Sequence, residues 1–139
     1  MAAIFEDGIS PAPFTADEDL TAWQYKLVKA ASTYGNVERF QHITIGTGSP
    51  VSIGVLLNDP SATQEAEVKV LGFAKVKARA SVCDLRLGSA LTGASDGFAE
   101  PASGVGDHVI GRWLGPRSTT VDASILGTIL FLPSTGCGA

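Results

Sequence analysis

The chain reads as a mainly β protein: a small antiparallel β-sandwich or barrel-like domain behind an extended N-terminal arm. Three features predict this. Short apolar segments of strand length recur along the sequence, separated by clusters of glycine, proline, asparagine, aspartate and serine. The 139 residues include 16 glycines and only 17% charged residues, a composition suited to strands and turns. The first stretch, "GISPAPFTADEDL", carries Pro11 and Pro13, which favour extended backbone and block regular pairing. At this length one compact domain can bury a real core, with little surplus.

Residues 1–22 make up the expected arm. Ile4, Phe5 and Phe14 are spaced along its polar sequence, as in an arm that packs on its own body or on a partner. Just beyond it, "TADEDLTAWQYKLVKAA" carries two competing patterns. Thr15 and Glu18 fit a capping box, and Leu20, Trp23, Leu27 and Ala31 have helical spacing. Yet "QYKLVKA" also alternates. The expectation is a turn or helical loop over 15–20, a strand over about 24–30, and a turn at "STYGN". Further strands are expected in "VERFQHITI" before "GTGSP", in "SIGVLL" before "NDPS", in "HVIGRWL" and in "TILFL". "SDG" and "SGVGD" read as turns. The β-rich body spans 23–134, and 135–139 is a short tail.

The segment "EVKVLGFAKVKARASV", residues 67–82, is the most patterned stretch. As a single strand it would span about 50 Å, too long for an ordinary sheet, so Gly72 is the expected break or bulge. Past it, Ala74, Val76, Ala78, Ala80 and Val82 are expected to face in, with Lys75, Lys77 and Arg79 facing out. The small inward side chains require another layer to approach closely. The outward cations are open to two readings. They form a solvated face that blocks edge-to-edge pairing, or a contact for an acidic surface, either a partner's or the acidic arm of a neighbouring copy.

The net charge of −4 is unevenly placed: Glu6, Asp7, Asp17, Glu18 and Asp19 all precede Lys26, the first basic residue. An acidic arm on a balanced body disfavours free nucleic-acid binding, which needs a net basic surface. No apolar run is long enough to span a bilayer, and the N-terminus lacks the basic and apolar regions of a secretory signal. A soluble protein made in a cytosol is expected. Cys83 and Cys137 form no C-x-x-C motif; they read as a half-buried small hydrophobe and a free tail thiol, with a disulfide between them left open.

Reactive machinery is thinly represented. His42 and His108 are the only histidines, and neither has a neighbouring cluster of metal ligands. A nucleophilic arrangement of Cys83 with His108, oriented by Asp84 or Asp107, has no support in the flanking sequence. "GTGSP" and "GVGDHVIG" are each followed by strand-like sequence, not by the helix a dinucleotide fingerprint requires. No metal, cofactor or catalytic residue is expected.

Four pieces taken in order, "DLTAWQYKLVKA", "IGVLLNDPSATQEAEVKVLGFAKVKA", "HVIGRWLGP" and "ILGTILFLPS", resemble the head decoration, or capsid cement, proteins of tailed bacteriophages. The resemblance covers residues 19–134. It departs from the family pattern at Ala62–Thr63–Gln64, where a glycine is common, and at Cys83–Asp84, where Gly-Asp is common. It implies a β-rich, usually trimeric, non-enzymatic protein seated on the outer capsid surface of the virion. Its partners would be the major capsid protein and further copies of itself, with an arm reaching across neighbouring subunits. On that reading the capsid contacts would come from Ile4, Phe5, Phe14 and Trp23, and from the Lys75, Lys77 and Arg79 face. A receptor-binding or fibre-type β module, and a small enzyme using Cys83 or His108, are the alternatives.

Overall fold

The computed structural model describes residues 8–9, 14–40, 52–103, 108–119 and 124–132. Among these, every regular element is a strand, and the strands build two six-stranded sheets. In chain order they are β1 (Gly8–Ile9), β2 (Phe14–Ala16), β3 (Leu27–Ala30), β4 (Asn36–Arg39), β5 (Gly54–Leu56), β6 (Glu65–Ala66), β7 (Val68–Lys69), β8 (Leu71–Ala78), β9 (Ala90–Gly93), β10 (Ala99–Pro101), β11 (Gly111–Trp113) and β12 (Ile125–Phe131).

The first sheet has the order β1-β8-β10-β9-β11-β12, and β12 also pairs with β8, so the ring closes. Its seam is the longest ladder among the described strands, running antiparallel from Ile125↔Ala78 to Phe131↔Gly72. The second sheet has the order β6-β2-β4-β3-β5-β7. Only Glu67 separates β6 from β7, so the two ends of that order meet in the chain and this sheet also closes. Glu67 is held by the segment that follows β5: its N–H donates to Asn58 Oδ1 at 2.9 Å, and its carbonyl accepts from Leu57 N–H at 2.8 Å. The second barrel lies in sequence between β1 and β8 of the first.

A closed ring of few strands has a narrow interior, which must be filled by small residues set against large ones. This explains the inward row of β8, where Ala74, Val76 and Ala78 are fully buried. Trp113 is the large counterpart. A Cβ on Gly127 would overlap its ring, so the glycine opposite Val76 exists to admit the indole. The indole N–H donates to the Pro116 carbonyl at 2.9 Å, which satisfies this buried ring's one donor. The second barrel is filled by Ala16, Leu20, Val28, Val37, Leu56 and Val68. Leu27, Phe40 and Val55 point outward from that barrel and join the first core, so the two rings share apolar packing. Leu27 N–H to Gly97 O (2.9 Å) and Lys77 N–H to Tyr25 O (2.8 Å) tie the same joint.

Alternation placed Ala74, Val76, Ala78 and Ala80 inside correctly, but Val82 is 80% exposed. The strand ends at Ala78, and residues 81–83 bend away. Cys83, expected to be half-buried, is exposed on that bend. Gly72 does have a left-handed backbone, with φ of 103°, but the long segment breaks two residues earlier. Between Lys69 and Leu71 the chain leaves the second sheet for the first. The strand expected from residue 24 begins at Leu27, because Tyr25 takes a left-handed φ of 64° in a turn and donates its N–H to Leu56 O.

No helix forms over 15–31. Thr15 pairs with Asn36 on one side and with Glu65 on the other, so the capping-box residue is a strand residue. Residues 14–22, expected in the arm, are part of the second barrel: Ala16 and Leu20 are buried in its core. Closure of the sheet needs a strand between β4 and β6, and this apolar–polar stretch supplies it. β1 is pinned to the start of β8 through Gly8↔Gly72 and Ile9↔Leu71. Ile4, Phe5, His42, Cys137 and the tail 135–139 lie outside the described residues.

Candidate interaction surfaces

The outward row of β8 faces the same side as the outward rows of β11 and β12. Register sets Phe73 opposite Leu130, Lys75 opposite Thr128 and Lys77 opposite Leu126; Arg112 on β11 is opposite Leu130. Leu71, Leu114 and Leu132 continue the alternation. Leu126 and Leu132 are about half exposed, and Leu71 and Leu114 slightly less so. None of these three strands contains an acidic residue. Isolated exposed leucines are ordinary; here several share one sheet face, with cations beside them. The sequence singled out the cations of this face; it did not single out the leucines. Alternation in "ILGTILFL" was the available signal.

Lys75, Lys77 and Arg79, expected to act as one row, have different surroundings. Arg79 turns toward its own chain: Nη1 meets Asp96 Oδ2 at 2.6 Å, Nε lies 3.7 Å from Glu100 Oε2, and the guanidinium sits 5.3 Å from the Phe98 ring. A carboxylate pair already answers its charge. Lys77 lies near Lys26, whose ammonium is 4.3 Å from the Trp23 ring centroid and 4.6 Å from that of Phe98. Burial, and then the neighbouring Lys77, push the Lys26 pKa below its ordinary value, with Asp96 opposing them.

Trp23, expected as an arm anchor, is half-buried at the joint between the barrels. Its indole N–H donates to Leu27 O at 2.7 Å, and the Arg39 guanidinium lies 5.4 Å from its ring. Phe14 is half-buried against the second core and pairs with Ala66. Both positions fasten the second barrel together, which leaves only part of each ring for a partner.

A second surface is the bend after β8. Leu85 is buried and exchanges two backbone hydrogen bonds with Ser118, at 2.9 and 3.0 Å. Asp84 accepts from Arg86 at 3.0 Å and from Arg117 at 3.3 Å; these bonds, Arg86 first, hold its carboxyl below the usual 3.8. Val82 and Leu87 project into solvent from this fixed frame. Among the described residues no hydrogen bond joins Cys83 to His108, and Asp84 is engaged by arginines instead. No group of three or more His, Cys, Asp or Glu capable of holding a metal ion occurs among them either.

Geometry thus defines a class: two small closed β-barrels sharing a core. The particular likeness is to a solved structure, the N base of the head fiber gp8.5 of bacteriophage phi29. The TM-score is 0.56 at 16% identity, over 89% of this chain and 93% of that one. At that identity the likeness establishes a shared fold. No family model matches the sequence, and no curated protein matches it.

Proposed function

We propose that this chain is a structural virion protein of a tailed bacteriophage. It decorates the outer surface of the head as a homotrimer and bridges neighbouring major capsid subunits, stabilising the expanded shell. The carrying observation is the likeness, across nearly the whole chain, to a phage head fiber base. The ordered sequence resemblance to head decoration proteins points the same way. The physical logic is mass action: a protein that binds only the expanded lattice stabilises that lattice. Several copies joined together bind with avidity, so each contact can be weak. The segment before β1, with Ile4 and Phe5, is the proposed anchor, and its acids set register against basic patches of the shell.

A second reading follows from the same likeness: the chain is the base of a head fiber, attached to the head without reinforcing it. Co-sedimentation with purified expanded heads, followed by thermal rupture of those heads, separates the two. Decoration predicts saturable binding and a higher rupture temperature. Binding with unchanged rupture favours the fiber base, and absence of binding removes both. Deletion of residues 1–7 is expected to leave the barrels folded and to weaken binding; unchanged occupancy would dismiss the anchor.

A further inference from the structure

The leucine face of β8, β11 and β12 needs a cover, and its charge restricts what that cover can be. Lys77 and Arg112 stand on it, and its three strands carry no carboxylate. Arg112 is exposed and its one described hydrogen bond, 3.3 Å to Gly88 O, leaves most of its donors unused. Two copies related by a two-fold axis through this face would set these cations against each other. An acidic surface is required instead, and the chain has one. Around Asn58, which bonds the backbone of both Glu65 and Glu67, the carboxylates of Asp59, Glu65 and Glu67 are all exposed, with no cation paired to them among the described residues. This turn belongs to the second barrel, whereas the leucine face belongs to the first.

We infer that copies of this chain associate head to tail, the leucine face of one barrel seated on the acidic 58–67 turn of the next copy. Such a contact joins two different patches of the chain; it closes into a ring when the rotation between copies closes, and it differs from a two-fold pairing of one leucine face with another. This rests on the self-association contained in the proposed function and specifies its surfaces. The leucines supply the apolar burial, and the charges fix direction and register.

The test uses the full chain in sedimentation equilibrium, with folding of each variant checked by circular dichroism. Wild type is expected at a multiple of the chain mass. L126E with L132E, both on half-exposed positions, is expected to weaken association by about tenfold or more. K77E with R112E is expected to weaken it too, and adding E65K and E67K in the same chain is expected to restore it. A monomeric wild type, or association indifferent to these changes, overturns the inference. So does a failed charge swap, which would leave a like-to-like contact. Head co-sedimentation of the same variants keeps the two proposals apart. Loss of head binding with unchanged self-association would make the leucine face a shell contact. Disrupted self-association with residual head binding leaves the virion reading standing.

Discussion

Trp113 and Gly127 show how far single positions set the first barrel. The indole occupies the space where a side chain on residue 127 would stand, and its N–H is satisfied by Pro116. Gly127→Ala therefore forces a methyl group into a filled ring, and a loss of about 1–3 kcal/mol is expected in urea unfolding. An unchanged midpoint would mean that the ring can shift. Asp84 gives a test in pH. Its folded pKa is lowered by Arg86 and Arg117, so its contribution is fully present above the ordinary value of 3.8 and fades as pH falls through the lower folded value. The Asp84→Asn variant is expected to show a shallower fall in melting temperature on acidification over that window. A fall identical to wild type would show that the arginine clasp does not contribute.

At the scale of elements, the decisive event is the passage from β7 to β8, where one continuous alternating sequence serves two barrels. Gly72 follows immediately, with a φ of 103° that side chains rarely adopt, opposite Gly8 of β1. Gly72→Ala is expected to cost about 1–3 kcal/mol of stability, measured by urea unfolding, because the strained backbone must persist or the β1 pairing must be lost. The β8–β12 seam spans the full strand length, so its amides, such as those of Val76 and Ile129, are expected to exchange most slowly. Fast exchange there would contradict a closed ring.

Period-two alternation made β8 and β12 legible, and turn chemistry made "STYGN" and "SDG" legible. β9 and β10 were not legible: "ALTG" and "AEP" are small or carry proline, and they become strands only because the ring needs members between β8 and β11. The strand nature of Phe14–Ala16 was hidden for the same reason, since its partners Asn36 and Glu65 lie far away in sequence. Of the candidate site, the cations of β8 could be read from spacing. The capture of Arg79 by Asp96 and Glu100 could not, because it depends on how a later hairpin folds back.

For the whole molecule, the shared packing of Leu27, Phe40 and Val55 with the first core makes the two barrels one unit. A single calorimetric transition is expected, and two separated transitions would show that the rings fold independently. The leucine face and the acidic 58–67 turn are exposed on the surface of that unit. The most direct measurement is electron cryomicroscopy of expanded phage heads, stripped of surface proteins and incubated with the full chain. The account predicts added density repeating regularly on the outer shell, into which the two barrels fit beside the major capsid subunits. Bare shells at saturating protein would contradict it.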